Sequence, residues 1–260
     1  NDGTFNHNSG TVTITTASST GLDLTGTGGT GINNLVINHS SCTGNFEGAV
    51  SLAGDLTITA GTFKANTPAS DTLTVAGDVS VTGTLGNANL AHDQNYSFAS
   101  LTIESGGTYN ATSGTTTFAT ADTHRAGYGG QPSALEVKSG GTFTHNKGTV
   151  KLTSVYDQDI EMDGTGTLYN LTFNKSDNDV IHSSSLVIEN NLDVTLAAGH
   201  SLRPSSGSNT VTVYGNTYLT TGNIGDTTQY TGTNNWGLVT INSGEFILST
   251  GTNNVSGIRN

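Results

Sequence analysis

The densest run of acidic residues in the chain is YDQDIEMDGTG, Tyr156 to Gly166. Asp159, Glu161 and Asp163, with Gly164 behind them, have the alternate spacing with which an EF-hand loop begins to ligate calcium. Such a loop closes with a bidentate Glu at its twelfth position, and counting from Asp159 that place holds Asn170. Ile160 and Met162 alternate with the acids, as in a strand with one wet face. The three acids are candidates for a weak surface calcium site, with a solvated strand face as the plainer reading. No other cofactor is expected.

Two histidines recur. GTFNHNSGTV (Gly3 to Val12) and GTFTHNKGTV (Gly141 to Val150) agree at eight of ten positions, and place His7 and His145 just after Phe5 and Phe143, on the same face of a strand. A metal centre needs several convergent ligands. No acid accompanies both copies, so these histidines are expected at corners of a repeating fold, with the aromatics in its core. AHDQNYSF (Ala91–Phe98) and ATADTHRAGYGGQPSAL (Ala119–Leu135) interrupt the rhythm of the chain. Loops on a rigid scaffold are where binding residues gather, which makes His92, Asp93, His124, Arg125 and Tyr128 the ligand-contact candidates. Asp177, Asp179 and His182 form a further polar cluster.

Catalytic constellations are missing from the pattern. Glycoside cleavage wants two carboxylates facing one groove. The eight Lys and Arg do not recur between related segments. Asp71 and Asp78 correspond to Asn209 and Asn216, an interchange that suits turns and defeats acid–base work. No nucleophile elbow, phosphate loop or zinc spacing is present. No catalytic residue is assigned, and the chain is expected not to be an enzyme.

The elements that must carry these residues are short. The 260 residues are 32% hydrophobic and 11% charged, with 35 Gly, and the polar remainder is largely Thr, Ser and Asn. Thr favours strands, while Gly and Asn favour turns. TVTIT, LVIN, LTIT and LTVAGDVSV alternate with period two. A net charge of −12 speaks against nucleic acid and anionic membrane surfaces as partners. No apolar run reaches the length of a membrane span, so no membrane insertion is expected. The single cysteine, Cys42, is expected to be a small buried hydrophobe. The chain opens inside a repeat, without a signal peptide, as a fragment or a processed chain would.

A duplication runs through the whole sequence. The opening motif at Gly3 returns at Gly141, and four further stretches follow in the same order. Asn34 meets Asn170, Gly54–Thr59 meets Asn191–Thr195, Asp71–Gly83 meets Asn209–Gly222, and Ser100–Tyr109 meets Leu238–Phe246. This gives two homologous units, 1–138 and 139–260, stacked without a linker. Landmark strands begin near Val12, Leu35, Leu56 and Leu73. Short strands at such spacing predict an all-β, right-handed parallel β-solenoid (β-helix) with irregular coils of about 17–25 residues. A pair of β-sandwich domains is the alternative, and the absence of a hinge near residue 138 counts against it. Paired threonines such as Thr13/Thr15 and Thr57/Thr59 would suit ice binding only in regular coils, which these are not.

With GTFTHNKGTV, GTLYNLTFNKS and LTVAGDVSVTGTL in view, nearly the whole chain resembles the Gly/Thr/Asn-rich β-solenoid surface proteins of bacteria, of adhesin or coat type. It is also similar to repetitive fibre and spike proteins of marine phages. The resemblance implies an extracellular or cell-surface location, or a virion appendage, and carries no active-site motif. The expected function is a non-catalytic structural and adhesive solenoid in a surface stalk, coat or filament. It would self-associate along or beside its axis and contact host or environmental glycans. A phage tail fibre or spike binding host glycans is the first alternative, and a polysaccharide-active β-helix enzyme the second.

Overall fold

The computed structural model describes residues 7–17, 19–23, 31–66, 71–88, 93–119, 133–225, 231–248 and 250–260. They form 25 strands, no helix, and one continuous sheet in which each strand ladder is parallel. The sheet winds into a parallel β-solenoid of about 10 turns. None of the described residues forms a helix long and apolar enough to cross a membrane.

Three ladders run along the axis, one on each face. The first passes from Thr11–Ile14 through 34–37, 56–58, 79–81, 101–103 and 135–137 to Gln158–Met162. It continues through Val180–His182 and Ser201–Pro204 to Asn223–Ile224 and Glu245–Phe246. The second starts at Ser19–Asp23 and climbs through 43–47, 62–65, Thr84–Gly86 and Thr108–Asn110 to Thr142–Thr144. Isolated bridges Thr142–Thr165 and Leu168–Ile188 carry it to Val211–Val213, 235–236 and 254–255. The third begins at Ala49–Leu52 and runs through 72–75, 96–98, Thr115–Phe118, Thr149–Leu152, Asn170–Asn174 and Leu192–Thr195. It ends on Thr217–Thr221, 238–241 and 257–259.

Strict alternation makes the core. On the first face Leu35, Leu56, Val79, Leu101, Leu135 and Ile160 stack as successive partners, all at 0–1% exposure. No coil could bury these side chains alone; a neighbour on either side supplies the missing contacts. A string of aromatics runs through the middle. Phe46 lies 5.0 Å from Phe63 and 6.1 Å from Tyr96, Phe98 lies 6.2 Å from Tyr109, and Tyr109 lies 5.6 Å from Phe143. The buried phenol of Tyr109 is satisfied by Thr116 Oγ1 at 2.7 Å. Cys42 is buried and free, as its type suggests.

Two features differ from the sequence reading. Successive partners on the first face are Val12, Leu35, Leu56, Val79, Leu101, Leu135 and Ile160. Their spacing is even except for the longer step from Leu101 to Leu135, which includes residues outside the described ones. The shorter step from Leu56 to Leu73 is not a coil: Leu56 stands on the first face and Leu73, paired with Val50, on the third. Each coil spends three strands, so neighbouring strands in sequence do not neighbour along the axis.

The second feature concerns the duplication. Thr11–Ile14, 34–37, 56–58, 79–81 and 101–103 all lie on the first face, while their counterparts 149–152, 170–173, 192–194, 217–219 and 239–241 all lie on the third. Likewise 72–75 on the third face corresponds to Val211–Val213 on the second, and Tyr109 on the second to Phe246 on the first. The repeated unit therefore returns one face over. Its length is not a whole number of coils.

Candidate functional site

The corners are built by side chains that replace missing ladder bonds. Asn34 Oδ1 accepts from the Asp55 amide at 2.8 Å, Asp55 Oδ1 from the Asp78 amide at 2.9 Å, and Asp78 Oδ1 from the Ser100 hydroxyl at 2.5 Å. The second unit repeats this with amides: Asn170 Oδ1 accepts from Asn191 N at 3.3 Å and Asn191 Oδ1 from Asn216 N at 3.1 Å. Each of these contacts at Asp55, Asp78, Asn170 and Asn191 uses an acceptor oxygen that Asp and Asn share, which is why the two interchange here; Asn34 and Asn170 also donate through Nδ2 to Thr11 and Thr149 Oγ1, at 3.3 and 3.4 Å. His7 and His145 are corner residues too. The Nδ1 of His7 accepts from the Ser9 amide at 2.9 Å, and that of His145 from the Lys147 amide at 2.8 Å. Both span a turn in which Asn8, Ser9, Asn146 and Lys147 have φ of 45–62°. His39 forms the same contact with Ser41. His145 also stacks on Tyr169 and meets Glu189 at 3.3 Å. The recurrence of histidine is accounted for by this turn.

Asp159 and Glu161 lie on the outer side of their strand, with Glu161 beside Glu136 of the previous coil. Asp159 is only 1% exposed; Ser183 Oγ donates to its Oδ2, and Oδ1 is buried without a hydrogen-bond partner. Burial pushes its carboxyl up to about 6. Glu161 is pushed up to about 7, by burial first, then by the charge of Asp163 and a hydrogen bond with it. These carboxyls hold protons where ordinary acids do not. Among the described residues no group of three or more His, Cys, Asp or Glu is disposed to hold a metal ion.

Of the loop candidates, Asp93 is exposed and accepts from Gln94 Nε2 at 2.8 Å. His92, His124, Arg125 and Tyr128 lie outside the described residues. The cluster of Asp177, Asp179 and His182 divides. His182 is wholly buried between Ile160 and Pro204 on the inner side, its Nδ1 on Ser184 O, and burial pulls its pKa down to about 4. The two aspartates instead meet His200 at 3.2 Å and 3.5 Å, and Asp179 takes the Arg203 Nε–H at 2.8 Å. Beneath them Lys175 buries its ammonium on Ser154 O at 2.8 Å and Gln158 Oε1 at 3.2 Å, and burial lowers its pKa to about 8.

Sequence reasoning missed a groove near the C-terminal end, a cavity of about 540 Å³ lined by Tyr214, Asn235, Trp236, Asn253, Asn254 and Ser256. These residues come from three successive coils, joined as Val213–Trp236–Val255 and Thr212–Asn235–Asn254. Trp236 is buried edge-on to Phe246 at 5.1 Å, and Tyr214 is 72% exposed. Asn235 Nδ2 donates to Thr212 Oγ1 and Asn254 Nδ2 to Asn235 Oδ1, at 3.2 Å and 2.8 Å. An exposed aromatic beside oriented amides, with no charge in the lining, can hold a neutral polyhydroxylated ligand.

No protein family, curated protein or solved structure matches this chain. It is a parallel β-solenoid of repeated coils, and that assignment rests on its own ladders.

Proposed function

We propose that this chain is a non-catalytic, extracellular structural and adhesive solenoid, part of a surface stalk, coat or filament. The observation that carries this reading is the unbroken parallel stack, whose polar side chains are spent on corner bonds between coils. Asn34, Asp55 and Asp78, and again Asn170 and Asn191, each hold the next coil's backbone or hydroxyl. Such side chains stiffen a rod and are not free for chemistry. The test is immunogold labelling of intact source cells or particles with antibody to the chain. Label along extended surface structures is the expected result; label only after lysis overturns the reading.

A glycan-binding fibre is the second reading, and the uncharged groove at Tyr214 favours it. An array of neutral glycans checks it, with Tyr214→Ala and Asn254→Ala as paired variants that should abolish any signal.

A further inference from the structure

The outer column of the first face changes character part-way along the rod. Thr57, Ser80 and Thr102 follow one another on successive coils, and the next two places are Glu136 and Glu161. The parallel ladder sets these glutamates directly opposite each other, about 4.8 Å apart at the strand spacing. Like charges in that position oppose pairing. Asp163 follows just past the strand and shares a hydrogen bond with Glu161. Asp159, two residues before Glu161 on the same side, is 1% exposed, and its Oδ1 is buried without a hydrogen-bond partner. The ladder also slips at this step: Ser133 lies opposite Asp159 and Leu135 opposite Ile160, which leaves Ala134 as an extra residue.

The neighbouring cations are engaged elsewhere. On the preceding coil Glu136 faces the row, and Lys138, just past that strand, is held by Glu104 at 2.9 Å. The following coil brings the hydroxyls of Ser183 and Ser184, on Asp159 and on the Met162 amide, while its His182 is buried on the inner side. Arg203, one coil further, is held by Asp179 at 2.8 Å. The charges that act on Glu161 are Asp163, Glu136 and Asp159, all of one sign. Among the described residues these acids form no group disposed to hold a metal ion. The cation left to neutralise the row is the proton.

We propose that this step of the stack is a proton-operated joint. With a proton shared among the carboxyls of Glu136, Glu161 and Asp163 the two coils close; with that proton lost to solvent, repulsion loosens the ladder between 135–137 and Gln158–Met162. The closed carboxyls hold protons unusually well: burial first, then Asp163, pushes Glu161 up to about 7. A glutamate in an opened chain titrates near about 4.3, so the closed joint binds the proton more tightly than the open one. Its stabilisation is complete below that value and is lost as pH rises to about 7. In a stack where each coil touches only its neighbours, such a weakness opens one step and leaves the others paired. The joint goes beyond the scaffold reading and does not depend on where the chain resides.

Hydrogen exchange of the whole chain, followed by mass spectrometry at about pH 5 and about pH 8, tests it. Protection at 133–137 and 158–164 is taken relative to the step between Asn170–Asn174 and Leu192–Thr195, which cancels intrinsic rates and global unfolding. That ratio should fall by about tenfold at the higher pH, less than the full shift implies because solvent screens the half-buried Glu161. Glu161→Gln and Glu136→Gln, each checked for β-fold by circular dichroism, should hold the ratio constant across the two pH values. Calcium added to wild type at the higher pH should leave it unchanged. Equal loss of protection at both steps, or a pH dependence that survives in a folded glutamine variant, would overturn the joint. So would protection restored by calcium, which would make the row a metal site instead.

Discussion

At the scale of residues, the buried titratable groups set how the rod responds to pH. His182 sits wholly inside, with a pKa pulled down to about 4 by burial. The unfolded chain takes up that proton first, near pH 6.5. Its contribution to stability is full above that pH and declines as pH falls toward about 4. His182→Gln should remove about 3 kcal/mol of acid sensitivity over that window, read as a flatter dependence of Tm on pH. Asp159 works in the opposite sense. Its folded pKa is raised to about 6, so the folded chain binds the proton first, and stability is lost as pH rises from about 4 to about 6. Asp159→Asn should therefore stabilise the protein at pH 7 by about 1–2 kcal/mol, with the gain fading toward pH 4; urea unfolding at the two pH values measures it. The role of the corner residues was legible in sequence, since Asp78 in one unit corresponds to Asn216 in the other, an interchange that already pointed to turn chemistry. The burial of Asp159 was not, because alternation marks it as outward and only the folded surroundings show that it is covered.

Strands and corners behave as replaceable rungs. Phe118→Ala empties a place that Phe98 and Leu152 pack around, and should cost about 3–5 kcal/mol in urea unfolding. Gly237→Ala should be worse tolerated than its small volume suggests: a Cβ there would stand 1.6 Å from the Gly215 carbonyl oxygen of the coil below. Loss of soluble, cooperatively unfolding protein is the expected readout. The strands themselves were readable from period-two alternation in segments such as TVTI and LTIT. Their azimuth was not. Leu56 and Leu73 look like successive landmarks, yet occupy different faces, because sequence spacing does not record how many corners intervene. The groove escaped for the same reason. Tyr214, Trp236 and Asn254 are well separated in sequence and become neighbours only through the pairing of three coils. The solitary Trp was the one signal that could have drawn attention to it.

The whole molecule is a one-dimensional stack, so its stability should be nearly additive in coils. Excising 192–216 brings Thr217 directly behind Asn191, in the register that Leu192 held against Leu171. That variant should fold, with a urea m-value lower by about a tenth; failure to fold would show that coils are less independent than the ladders imply. The duplicated unit has already made a bolder experiment of this kind. It returns one face over, so strands that once lined the first face now line the third and pack as well there. The turn at His7 leads into the first face and its repeat at His145 leads into the third. One motif is thereby shown to two sides of the same rod, so what the corners present is spread around the molecule and not confined to a single side.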